Sequence, residues 1–72
     1  MVDTQQLMKR ISERGLKLQY VSEQMGLSRP GFSNKLYGRM EFKVSEVLQL
    51  SRMLELSPEE RNAIFFKDVV EK

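Results

Sequence analysis

Arg29, Pro30, Ser33, Asn34 and Tyr37 are the residues of this chain whose types and spacing suggest chemistry. An arginine can make a paired contact to the edge of guanine, and an asparagine can do the same to adenine, in the major groove of DNA. Serine and tyrosine hydroxyls can donate to phosphate oxygens. Other chemistry has less to build on. The chain has no histidine and no cysteine, so it lacks the commonest general base, thiolate metal ligands and any disulfide. Carboxylates and lysines are present, but no cluster sets a base beside a nucleophile. The expectation is therefore no enzyme, no metal, no cofactor and no small-molecule substrate.

The elements that must position those residues lie in residues 18–38, LQYVSEQMGLSRPGFSNKLYG. Leu18, Val21 and Met25 form one apolar stripe over a predicted helix at 18–25. Ser22 is small enough to let another helix come close. Gly26 offers the positive φ that a sharp turn between two helices needs, and Leu27 returns to the core. Ser28 is a good N-cap for a third helix at 29–37, and Pro30 is tolerated in a first turn, whose N–H groups have no helical partner. Phe32 and Leu36 make the buried stripe of that helix, and Gly38 closes it. Pro30, Asn34 and Tyr37 lie opposite, Ser33 lies on the flank, and Arg29 is at the start. A helix that served packing alone would more often show Glu and Lys outside. Several of the residues found here are poor helix formers, as if short side chains were kept so that something could approach. The blander reading is an ordinary connecting helix of loop-like composition.

The rest of the chain reads as packing for this pair. Its 72 residues make one domain, and a chain of this length buries only about 60% of the surface its unfolded form exposes. A first helix is predicted over 4–14, with Leu7, Met8 and Ile11 inward, Asp3 or Thr4 as cap, and Gly15 as stop. Lys9, Arg10 and Arg14 belong to its wet side. Phe42 should anchor the 39–43 loop, with Arg39 and Lys43 outside. A central packing helix is predicted over 44–55, because Val44, Val47, Leu48, Leu50, Ser51, Leu54 and the following Leu56 are too apolar for a fully exposed element, with Glu46, Gln49, Arg52 and Glu55 on its wet side. Ser57-Pro58-Glu59-Glu60 combines an N-cap, a first-turn proline and the acid of a capping box, so a fifth helix starts at Pro58 and runs through Phe66. No strand pattern, repeat or linker is evident. The fold class expected is all-α, a compact bundle of five short helices.

Charge is unevenly spread. The net value is only +2. Residues 9–43 nevertheless hold eight Lys or Arg against three Glu, whereas residues 44–72 hold four against six acids. A basic end suits a polyanion, although clustering by chance in a small chain is the plain alternative. MVDTQQLMKR has no apolar signal core, and the longest apolar run, Ala63 to Phe66, is too short to cross a bilayer. A cytoplasmic protein without membrane contact is expected.

Val21, the small Ser22, the turn Gly26, Leu27, Ser28-Arg29, Phe32 and Gly38 together resemble the helix-turn-helix of the lambda-repressor/Cro-like, or XRE-type, family of bacterial and phage regulators. The resemblance extends over residues 4–66, because that family has five helices in this order. It implies a lambda-repressor-like domain over residues 1–72 whose third helix enters the major groove of double-stranded DNA. Carried over by position, Arg29, Pro30, Ser33 and Asn34 would face base edges. Lys17, Gln19, Tyr37, Arg39 and Lys43 would contact the DNA backbone. The family often has Thr or Gln at the start of the second helix, where Lys17 or Gln19 would have to serve here. Its late apolar residue often falls at the position of Lys35, and here Leu36 takes that place.

A module of this size covers little DNA, and family members usually dimerise across half-sites about one helical turn apart. Phe65 and Phe66 are neighbours and cannot both face one core. The expectation is a homodimer in which one of them, with Val69 and Val70 in a segment spanning 58–70, meets a second copy. A small phage-like repressor or Cro-like regulator is the first function expected. The alternative is a protein-interaction module with a degenerate helix-turn-helix, which binds an antitoxin-like or anti-repressor-like partner through the Phe65–Phe66 region.

Overall fold

The computed structural model describes residues 2–67. They form α1 (Thr4–Glu13), α2 (Leu18–Gln24), α3 (Arg29–Leu36), α4 (Val44–Met53) and α5 (Pro58–Phe65), and no strand occurs among them. Three of the helices, α1, α3 and α5, begin where the sequence supplies a side-chain acceptor. The Asp3 carboxylate accepts the Gln6 N–H at 3.2 Å, and the Ser28 hydroxyl accepts the Gly31 N–H at 3.0 Å. At α5 the exchange is mutual. Ser57 Oγ accepts the Glu60 N–H at 3.1 Å, while Glu60 accepts the Ser57 N–H at 2.8 Å, which is the capping box read in the sequence. Each helix ends a residue or two before the expected position, a difference within the usual fraying of helix ends.

At the ends, residues with positive φ reverse the chain. Gly26 has φ 68°, and the turn is closed by Leu27 N–H donating to the Ser22 carbonyl at 2.9 Å. Gly15 and Gly38 end α1 and α3 in the same way. The end of α4 repeats the pattern without a glycine. Glu55 has φ 54°, and Leu56 N–H donates to the Ser51 carbonyl at 2.9 Å. Arg14 supports this corner, with Nε donating to the Leu54 carbonyl at 3.2 Å and Nη1 lying 3.3 Å from the Glu55 carboxylate. That ion pair is exposed and weak, so it does not offset the strain of a side chain in the left-handed region. Glu55→Gly is expected to raise stability by about 0.5–1 kcal/mol, since relief of that strain exceeds the entropy glycine loses on folding. A thermal melt would show this as a higher midpoint. A lower midpoint would mean that Arg14 contributes more than an exposed pair should.

The core gathers residues from all five helices. Leu7 and Ile11 of α1, Val21 of α2, Phe32 and Leu36 of α3, Val47 and Leu50 of α4, and Ile64 and Phe65 of α5 are buried together with Leu54. Phe42, from the loop before α4, stands edge-on between Phe32 and Phe65, with ring centroids 6.4 Å and 5.5 Å away. It anchors that loop as the sequence suggested. α2 packs on α3, and α5 packs on both α1 and α4. Two polar ties fasten the chain start to these partners. Asp3 N–H donates to the Ile64 carbonyl, and Thr4 Oγ1 donates to the Leu36 carbonyl, each at 2.6 Å.

Two expectations for α4 are corrected. Val44 is 73% exposed and Leu48 39%, so the inward stripe is narrower than the apolar composition suggested. Val44 is the first residue of α4. Glu46, expected in water, is buried, because a charged partner on α3 meets it there. No helix among the described residues is long and apolar enough to cross a membrane.

Candidate nucleic-acid interface

α3 turns Phe32 and Leu36 fully into the core, and that fixes which of its sides remains available. Pro30 and Tyr37 are exposed, and Ser33 and Asn34 are half-buried. The other helices therefore do not cover the side opposite Phe32, although Ser33 and Asn34 are less open than the helical wheel alone would suggest.

Arg29, the first residue of α3, is half-buried, and its Nη1 is enclosed without a hydrogen-bond partner. A buried donor without an acceptor is costly, so this side chain gains by reaching one. At the other end of α3 three residues form a cluster. The Arg39 guanidinium lies 5.7 Å from the centre of the Tyr37 ring, and its Nη1 is 3.4 Å from Asn34 Oδ1. Arg39 and Met40 N–H groups both donate to the Asn34 carbonyl, at 2.8 and 3.1 Å. The 3.4 Å side-chain contact is long, so Asn34 could exchange it for another partner at small cost.

Lys17 and Lys43 are exposed and occupy the residues just before α2 and α4. Neither side chain caps its helix, since an ammonium has no acceptor to offer. Gln19 is exposed and donates to Glu23 at 2.9 Å. The structure thus brings Asn34, Tyr37 and Arg39 into one contact group, and among the described residues no hydrogen bond or ion pair joins Arg29 or the Lys17 or Lys43 side chain to it. Phe65 is buried and Phe66 is 36% exposed. The two phenylalanines divide as their adjacency requires. Val69 and Val70 lie outside the described residues.

Sequence reasoning missed the polar group that sits directly behind this face. Lys35 is 6% exposed and Glu46 is 9% exposed. The Lys35 ammonium donates to both Glu46 oxygens, at 2.7 and 2.8 Å. Glu46 Oε1 also accepts the Lys43 backbone N–H at 2.8 Å, half of a capping box whose other half lysine cannot supply. Burial pushes the Glu46 carboxyl upward. The Lys35 hydrogen bond, the Lys43 N–H and the two ammonium charges outweigh it and hold the group below its ordinary value. A signal was available for one partner, because Glu46 stands three residues after Lys43, where a carboxylate reaches back to the first free N–H of a helix.

Elsewhere, an open groove of about 500 Å³ between α1 and α5 is lined by residues including Asp3, Arg10, Glu60 and Lys67. These charges pair with one another, Arg10 with Glu60 at 2.8 Å and Lys67 with Asp3 at 3.9 Å. No group of His, Cys, Asp or Glu suited to a metal ion occurs among the described residues.

Residues 1–68 match the family model described as a protein of unknown function, DUF739. No curated protein and no solved structure matches the chain. A match over nearly the whole length places this five-helix chain in the DUF739 family.

Proposed function

We propose that this protein binds double-stranded DNA sequence-specifically as a small phage-like transcriptional regulator of the lambda-repressor/Cro-like type, with α3 in the major groove. The observation that carries this reading is the uncovered side of α3. It presents Pro30, Ser33, Asn34 and Tyr37, with Arg29, whose buried Nη1 has no hydrogen-bond partner, at one end and Arg39 at the other. A short helix docked by one apolar side, with small and hydrogen-bonding residues on the other, fits a groove that admits an α-helix. Arg29 Nη1 would find its acceptor on a base or phosphate there. In this reading Arg29, Pro30, Ser33 and Asn34 face bases, and Lys17, Gln19, Tyr37, Arg39 and Lys43 hold the backbone. A homodimer through the exposed Phe66 and the segment beyond it would double the contact.

The test is selection of bound duplexes from a random DNA pool. An enriched motif is expected, and a palindrome if two copies bind together. With that motif in hand, Arg29→Ala should weaken binding by about 1–3 kcal/mol and relax sequence preference, whereas Lys43→Ala should weaken all sequences alike and flatten the salt dependence. No enrichment, or binding insensitive to salt, would remove the reading.

A second reading is favoured by one observation. Met40, Val44 and Leu48 are 54%, 73% and 39% exposed along the loop and first turns of α4. Val44 and Leu48, four residues apart, share one side of α4, and adjoining exposed apolar side chains are a feature of protein-interaction surfaces. A helix-turn-helix adapted to bind an antitoxin-like or anti-repressor-like protein would use such residues, or Phe66, and would show no salt-sensitive affinity for DNA.

A further inference from the structure

The buried Lys35–Glu46 pair links two parts of the proposed interface through the start of α4. Lys35 belongs to α3, Glu46 to the first turn of α4, and the Lys43 N–H to the end of the 39–43 loop that also holds Arg39. One carboxylate therefore binds the helix assigned to the bases and the loop assigned to the phosphates. Its bonds are short and directional, at 2.7 and 2.8 Å to the ammonium and 2.8 Å to the backbone.

Stability alone does not explain such a pair. Two charges taken out of water lose hydration that their attraction only roughly offsets, and apolar residues of similar volume serve a core as well or better. The apolar contacts of Phe32 and Leu36 already hold α3 to the core. Apolar contact is non-directional, however, and lets a helix roll or slide by a fraction of an ångström at little cost. Hydrogen bonds of fixed length do not. Base edges are read by hydrogen bonds of the same length scale, so a small roll of α3 relative to the phosphate-contacting loop would spoil reading without unfolding anything.

We infer that Lys35 and Glu46 are positioning residues for sequence reading, setting the placement of α3 against the 39–43 loop so that base and phosphate contacts form together. The inference rests on the DNA-binding reading above. It concerns discrimination between sequences, not the capacity to bind DNA.

The test compares the parent, Lys35→Met/Glu46→Leu and Glu46→Gln, each measured on the parent's selected duplex and on a scrambled duplex of the same length. The double variant removes one positive and one negative charge, so net charge and general attraction to DNA are preserved. The ratio of the two affinities is expected to fall about tenfold, the size of one mismatched base pair, with affinity for the scrambled duplex unchanged and the melting midpoint not lowered. Glu46→Gln keeps an oxygen for both donors but loses the charge, and its ratio should fall less. An undiminished ratio in the folded double variant would overturn the inference while leaving DNA binding intact. If the double variant loses its helical spectrum, the Glu46→Gln ratio decides: a fall supports the positioning role, and no change rejects it. A parent that binds neither duplex would instead remove the proposed function, and this role with it.

Discussion

Phe32→Ala is expected to unfold the domain or leave it barely folded. Phe32 is fully buried, and it forms one end of the edge-on aromatic series that continues through Phe42 to Phe65. Truncating a buried phenylalanine typically costs about 3–5 kcal/mol, because the lost transfer energy is joined by the cavity left behind. At about 0.05–0.15 kcal/mol per residue, a chain of 72 residues has only about 4–11 kcal/mol in total. The change therefore consumes a large share of the whole. It also acts where the proposed interface is attached, since Phe32 and Leu36 are the apolar residues that dock α3. Far-UV circular dichroism should show a melting midpoint lower by about 15 °C or more, on a shift of about 4–8 °C per kcal/mol for a domain of this size. Pro30→Ala, on the exposed side of the same helix, should leave the midpoint nearly unchanged. Equal midpoints for the two variants would mean that the two sides of α3 have been assigned wrongly.

Lys35→Met alone should be the next most damaging change, at about 3 kcal/mol, because it leaves the Glu46 carboxylate buried without its cation. The cost stays at the low end because the Lys43 N–H remains bonded to Glu46. Lys35→Met/Glu46→Leu should recover the loss in full. That non-additivity is the sign of a pair acting as a unit. Acid provides an independent check. Glu46 is held below its ordinary value of 4.5 in the folded chain, so the unfolded chain takes up its proton first as pH falls. The stability this group contributes is thus fully present above about pH 4.5, and it is lost as pH drops through the lowered folded value. Glu60 shifts in the same direction, through its bonds to the Ser57 N–H and to Arg10. The parent's melting midpoint should be flat above about pH 5 and fall below about pH 4.5, with a shallower fall in the double variant. Identical acid profiles would show that the pair adds nothing that depends on charge.

The outward face of α3 was legible in the sequence because it follows from where Phe32 and Leu36 point, and helical geometry does the rest. The division between Phe65 and Phe66 followed in the same way from their adjacency. Lys35 was not legible. A lysine between Asn34 and Leu36 looks like a solvated residue, and the resemblance suggested only that Leu36 replaces an apolar side chain expected at Lys35. Both residues are buried, since the α3 surface facing the core is wide enough to take them when an acid waits opposite. Val44 failed in the other direction. An apolar residue at the head of an apolar helix reads as core, yet Val44 is 73% exposed while Glu46 and Val47 of the same turn are buried.

By itself, the sequence determined the local features: five helices, the caps at Ser28 and Ser57, and the turns at Gly15, Gly26 and Gly38. Each depends on groups a few residues apart, whose meeting needs no knowledge of the rest of the chain. Tertiary structure alone decided that Lys35 and Glu46 are inside, that Val44 and Leu48 are outside, and that Thr4 ties the end of α3. These outcomes depend on how separate helices are placed. A buried charge is tolerable only where its partner arrives from another element, and an apolar residue is buried only where another element reaches it.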